Sequence, residues 1–253
     1  MKYLRDFTMA RVGIGKAGDA LPTQVLLELR QARAAAADAV HEALDVAGLV
    51  LECQRRGWPS IPVRSAAHDR AEYLRRPDLG RTLHQDSRGL IHAGPFDLSI
   101  MVADGLSALA VHRHAFAVLD ILIPKLRDAS WTLAPLTLVE QGRVAIGDDI
   151  GALLEARLAL ILIGERPGLT SPDSLGAYLT WSPARGKTDA ERNCVSNIRP
   201  EGLPYDQAAA RLFALLTESR RFELSGIALK AGHVCTFQVP EKDGFLRIEP
   251  NFR

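Results

Sequence analysis

Residues 157–170 read "RLALILIGERPGLT". The six apolar residues from Leu158 to Ile163 leave no polar face, so the run reads as a strand covered on both sides rather than a half-exposed one. It then meets Gly164 and a charged pair, Glu165 and Arg166. Pro167 stiffens the backbone beyond them and Gly168 frees it. A plain surface turn would need less.

The same pattern stands twice upstream. "FDLSIMVADGLSALAVHRHAFAVLDILIPKL" (96–126) is a short apolar run, a turn and then apolar positions at helical spacing, and "WTLAPLTLVEQGRVAIGDDIGALLEA" (131–156) repeats the order. The opening stretch, extended through "SPDSLGAYL" to residue 179, is the third member. Apolar strands alternating with helices predict a mostly parallel sheet with helices on both faces. Ligands collect beyond the carboxyl ends of such strands, and there the chain has "ADGLS", "EQGRV" and "GERPGL", each polar and each with a glycine.

The first ninety residues differ. "TQVLLELRQARAAAADAVHEAL" (23–44) is Ala-rich and helix-periodic, and the Pro-broken "RRGWPSIPVRS" (55–65) separates it from "HDRAEYLRRPDLGRTL" (68–83), where Asp69 and Asp78 sit at positions that cap or stop short helices. Residues 1–93 therefore read as a helical subdomain and residues 94–253 as the α/β part. The Ala run at 34–37 has a plain helix-forming explanation.

Composition excludes several classes. The 253 residues are 47% hydrophobic and 24% charged, with 31 basic and 30 acidic residues interspersed for a net charge of +1. That offers no field to steer nucleic acid or an anionic membrane. No apolar run is long enough to span a bilayer, and the start "MKYLRDFTMARV" lacks a signal-peptide core. Cys53, Cys194 and Cys235 are far apart and odd in number, which points away from a disulfide framework or a zinc site and toward a reducing cytoplasm.

Several motifs have plainer readings. "GIGKAG" (13–18) matches G-x-G-x-x-G by letter, but no full strand precedes it and Pro22 opens a helix only later, so it is not a dinucleotide site. His112 and His114 lie two apart in a predicted helix, point to different sides and do not share a metal. "GDD" (147–149) fits a helix N-terminal cap better than a metal site. Ser107 lies in "DGLSA", outside any nucleophile elbow, and no catalytic constellation is legible. The segment "KTDAERNCVSNIRPEGLPYDQAAARLFALL" (187–216) packs more hydrogen-bonding groups before its helix than a connector needs, and reads as a loop that binds or docks something.

Taken in order, "ARVGIGKAGDALPT", "DRAEYLRRPDLGR", "VADGLSA", "QGRVAIGDDIG", "LIGERPGL", "SPDSLGAYLTWSP" and "DAERNCVSNIRPEGL" resemble the small (light) subunit of adenosylcobalamin-dependent ethanolamine ammonia-lyase, over roughly residues 4–230. The resemblance implies a Rossmann-like α/β fold and a radical lyase that converts ethanolamine to acetaldehyde and ammonia. It also implies a large barrel subunit that holds ethanolamine and a small subunit that completes the coenzyme site. The family's cobalamin contacts carry over to Val144 in "QGRV", Glu165 in "GERPGL" and Cys194 in "RNCVSN", with Arg166 and Asn193 as secondary candidates. No catalytic residue and no metal ligand is assigned to this chain.

Glu165 suits the rim of cobalamin because a carboxylate accepts from its amides. The absence of D-x-H-x-x-G from the sequence favours base-on binding, as the resemblance also implies. The location implied is the cytoplasm. A bacterial microcompartment within the cytoplasm stays open as the location, although the longer N-terminal extension that some relatives use for packaging is not seen ahead of the shared region. The tail from about 231, "AGHVCTFQVPEKDGFLRIEPNFR", runs past the resemblance, and its alternating "HVCTFQV" reads as an added edge strand. Two other readings remain open on the residues: a stand-alone α/β enzyme acting on a nucleotide-like small molecule, and a scaffold subunit without a ligand.

Overall fold

A computed structural model describes residues 14–232. Nine helices and six strands stand among them: α1 Thr23–His41, α2 Val46–Arg55, β1 Ser60–Arg64, α3 Arg70–Arg75, α4 Gln85–Arg88, β2 Leu98–Ala103, α5 Ala108–Ala110, α6 Phe116–Asp128, β3 Leu136–Glu140, α7 Ile146–Leu153, β4 Leu158–Gly164, β5 Leu175–Trp181, β6 Arg192–Ile198, α8 Tyr205–Phe222 and α9 Ile227–Gly232. The tail strand expected in "HVCTFQV" lies outside the described residues.

The strands form one sheet in the order β1-β3-β2-β4-β5-β6. The first four are parallel, and β5 and β6 continue the sheet antiparallel to their neighbours. Every residue of β2 and of β4 is buried, which is what strands covered on both faces require. On one face α5, α6 and α8 close a core containing Leu98, Leu122, Leu160, Leu179 and Leu212. On the other face α7 lays Ile146, Ile150 and Leu154 against Met101, Val139 and Ile161. The α/β reading with a mostly parallel sheet is thus the observed fold.

Two local readings differ from the structure. The helical reading of residues 1–93 missed β1, whose Pro62 and intermediate-to-exposed pattern mark it as an edge strand; it pairs with β3 from Ser60↔Leu136 to Arg64↔Glu140. The strand–helix alternation also ends at β4. "LGAYLTW" is β5, and part of the segment read as a polar loop, "RNCVSNI", is β6. A strand with Cys194, Ser196 and Asn197 turned outward hides its period-two pattern among polar letters.

The loops at the carboxyl edge interlock. Gly105 has φ +56, and a Cβ there would lie 2.3 Å from the Gly164 carbonyl oxygen, so the turn after β2 crosses the end of β4 at a separation only glycine allows. Buried Asp104 fastens the turn after β3 by accepting from the Gly142 N–H at 3.0 Å, and Arg70 of α3 donates to both Asp104 and the Gly105 carbonyl. Burial raises the Asp104 carboxyl to about 6, against the pull of Arg70 and the backbone N–H groups of Gln141, Gly142 and Gly105.

Candidate functional site at the carboxyl edge of the sheet

Glu165 is the first residue beyond β4. Its backbone N–H donates to the Ser174 carbonyl at 2.9 Å, so the 165–174 excursion is closed by one more rung of the β4–β5 ladder. Its carboxylate accepts from the Ser174 hydroxyl and, at 3.3 Å, from the Asn197 N–H on β6. The side chain therefore lies across β5 rather than out in solvent. Gly176 makes the room, since a Cβ at that position would stand 2.9 Å from Glu165 Oε1.

Two residues along β5 on the same face stands Tyr178, in register with Cys194 on β6. Burial first, and then the Cys194 thiol and the Glu165 carboxylate, raise the Tyr178 hydroxyl well above its ordinary value. It therefore stays neutral and keeps a proton to donate. Cys194 is exposed. Val144, in the turn between β3 and α7, packs with Tyr178 against the α7-side core.

The structure thus places Val144, Glu165 and Cys194 on one face of the sheet, joined by a residue that the sequence reading did not select, Tyr178. The signal was present: apolar and polar residues alternate in "SLGAYLTW", and a strand there sets Tyr178 opposite Cys194. Gly176 and Asn197 were missed for the same reason.

The secondary candidates separate. Asn193 is 2% exposed and points to the α8 face, where its amide both donates to the Gly226 carbonyl and accepts from the Gly226 N–H. It clamps the turn before α9 and does not face Glu165. Arg166 is exposed at the edge, while the Glu165 carboxylate turns away from it to Ser174 and Asn197.

The other motifs resolve as follows. The capping reading of "GDD" is corrected: Ala145 precedes α7 without a side-chain cap, and both aspartates are buried against arginines of other segments. Asp148 pairs with Arg192 at 2.6 Å, both almost fully buried, and Asp149 binds Arg88, Arg185 and the Leu83 N–H. Burial raises the Asp148 carboxyl despite Arg192. Burial acts the same way on Asp149, but Arg185, the Leu83 N–H and Arg88 together hold it below the ordinary carboxylate value. A third and fourth helical position suits such reach better than a cap, because these side chains leave the axis.

His112 and His114 diverge as expected. His112 accepts from the Asp45 N–H at 3.0 Å, whereas buried His114 meets the Tyr205 hydroxyl at 2.8 Å on the α8 side. Ser107 caps α5 through the Ala110 N–H and donates to the Pro172 carbonyl, and Asp69 caps α3 through the Glu72 N–H. The stretch before α1 forms a tight turn bridging Ala17 and Ala20, not the opening of a dinucleotide fold. No helix among the described residues is long and apolar enough to cross a membrane.

A mostly parallel six-stranded sheet covered by helices, with a carboxylate, a tyrosine hydroxyl and a thiol on one face of its last strands, makes this an α/β protein. Residues 1–230 match the family model for the ethanolamine ammonia-lyase light chain. Among curated proteins the chain is similar to ethanolamine ammonia-lyase small subunits of Xanthomonas campestris (54% identical over 233 residues, covering 90% of this chain and 86% of the relative) and Azotobacter vinelandii (53% over 235 residues, 90% and 87%). A small subunit from Pseudomonas fluorescens is 52% identical over 233 residues, covering 90% and 85%. The chain belongs to the ethanolamine ammonia-lyase light-chain family, and is a component of an ammonia-lyase. The tail from 231 lies beyond the match.

Proposed function

We propose that this chain joins a large, barrel-type subunit to bind adenosylcobalamin, and that the assembled enzyme deaminates ethanolamine to acetaldehyde and ammonia, with ethanolamine held in the large subunit. The observation that supports this is that Glu165 at the end of β4, Val144 in the turn after β3, and Tyr178 and Cys194 within β5 and β6 share one face of the sheet. When bound, the coenzyme supplies the radical chemistry, and the protein supplies binding and orientation.

The donor set fits a macrocycle fringed with primary amides. Glu165 accepts amide N–H bonds, Tyr178 donates to an amide carbonyl, and Val144 and Cys194 offer compact surfaces for the ring's apolar flank. Gln141 Oε1, buried in the turn after β3 without a hydrogen-bond partner among the described residues, is a further acceptor that an amide would satisfy. Gly176 lets Glu165 lie flat across β5, which leaves the face low enough for a broad ring. In this reading residues from 94 onward carry the cofactor contacts and residues 1–93 form a mainly helical part.

Co-expression with a large subunit tests the reading. The purified complex is expected to release acetaldehyde from ethanolamine only with adenosylcobalamin, and the isolated chain to release none. Turnover by the isolated chain would contradict it and favour the stand-alone enzyme.

A further inference from the structure

A second cluster adjoins Val144 and plays no part in the contacts above. A cleft of about 460 Å³ is lined by Arg81, Arg143, Lys187 and Arg192, with Val144 and Ala145 between them and the carboxylate of Asp189 at its exposed side. Arg81 is exposed, and neither it nor Arg143 has a carboxylate partner among the described residues. Arg143 is held by its stacking on Tyr73, at 4.3 Å from the ring centre, and its Nε is buried without a hydrogen-bond partner. Arg192 Nε is likewise buried and unsatisfied, with Asp189 Oδ1 only at 3.6 Å.

The charges do not balance. Lys187 is taken by Glu191 at 2.9 Å and Arg192 by Asp148 and Asp189, so these four cations meet three carboxylates and the excess of one positive charge falls at the unpaired guanidinium groups of Arg81 and Arg143. Rigid, planar, multi-donor groups of this kind match the oxygens of a phosphate.

We infer that the cleft is a phosphate site in which Arg81 and Arg143 are the binding groups, beside the paired Lys187 and Arg192. The inference rests on the proposed coenzyme reading for its choice of source: cobalamin carries one phosphate diester, on the nucleotide tail that hangs from the ring, and Val144 belongs to both the ring-facing surface and this cleft. A free phosphate has the same chemistry and is the other source.

The test is equilibrium dialysis on the complex of this chain with its large subunit, comparing wild type with Arg81→Gln and Arg143→Gln. Three probes are used: cobalamin, cobinamide (the same ring without the nucleotide tail and its phosphate) and inorganic phosphate. Each variant is expected to weaken cobalamin binding by about tenfold or more and to leave cobinamide unchanged, with inorganic phosphate competing against cobalamin in the wild type and less in the variants. Equal weakening for both corrinoids in an assembled variant, or no change for either, overturns the assignment to the tail. If the wild type binds neither corrinoid, the coenzyme reading fails and the cleft is judged by phosphate alone. Phosphate binding lost in Arg81→Gln then supports the site; phosphate retained there, or never bound, overturns it. The Arg81 side chain makes no hydrogen bond, ion pair or ring contact among the described residues, so its variant carries the test even if Arg143→Gln, which loses the Tyr73 stack, fails to assemble.

Discussion

The two ends of the sheet are built on different principles. Its parallel part is held by apolar burial on both faces: all of β2 and β4 is buried, and the side chains of α6 and α7 interleave with them. At the antiparallel end, the α8 face of β5 and β6 is equally apolar, but the α7 face is polar. There Arg192 reaches Asp148 and Thr180, Glu165 reaches Ser174 and Asn197, and Cys194 and Ser196 meet solvent. Apolar packing specifies where the strands lie, and polar contacts on one face of the last two strands specify what the edge presents.

The largest effect on this contrast is expected from the clamp that binds the two regions together. Asp148→Ala leaves Arg192, whose side chain is 3% exposed, as a buried charge with only the exposed Asp189 as ion partner, at 3.6 Å. Breaking such a pair from one side costs about 3–5 kcal/mol. Urea unfolding is expected to show that loss; a change under about 1 kcal/mol would mean that Thr180 and the Lys187 carbonyl satisfy Arg192 by themselves.

Next comes the contrast between packing and surface. Leu160, fully buried in β4, is expected to cost about 2–5 kcal/mol on truncation to alanine, whereas Ser196→Ala on exposed β6 stays within about 0.5 kcal/mol. Similar losses at both positions would erase the distinction between the two ends.

This distinction also explains what was legible in the sequence. The parallel strands β2, β3 and β4 were readable because continuous burial writes itself as an apolar run, as in "LALILIG", whereas the Pro-broken edge strand β1 was not. β6 was not, because three of its seven residues face solvent and the strand resembles a loop by composition. Glu165 stood out because a charge directly after a buried strand is conspicuous. Tyr178 did not, since its role comes from a cross-strand register with Cys194 that no local pattern reports. Asn193 was a secondary candidate from the same polar segment as Cys194. Neighbours along a strand face opposite ways, and its side chain went to Gly226. The aspartates of "GDD" were located correctly in the first turn of a helix, but their arginine partners come from distant segments.

A smaller effect should appear with pH. The Asp104 carboxyl is raised from 3.8 to about 6 in the folded chain, so between those values the folded state binds the proton more tightly than the unfolded one. Its contribution to stability is then fully present below about 4 and is lost as pH rises through about 6. Relative to Asp104→Asn, the wild type is expected to gain stability when pH falls from 7 to 4.5. A gain in the opposite direction would mean that Arg70 outweighs burial.

The central claim is that the polar face of the antiparallel end binds the coenzyme, and Glu165 is where it is most exposed to test. Glu165→Gln keeps the shape of the side chain and removes the charged acceptor, worth on the order of 1.5–3 kcal/mol to its ligand. The measurement is a titration of the apo complex with adenosylcobalamin, read by acetaldehyde formation and by equilibrium binding, for wild type and variant side by side. The account predicts an apparent dissociation constant raised about tenfold or more with a smaller change in rate at saturating coenzyme. Unchanged coenzyme dependence in a fully assembled variant would contradict it and leave Glu165 as the residue that ties β4 to β6 through Ser174 and Asn197.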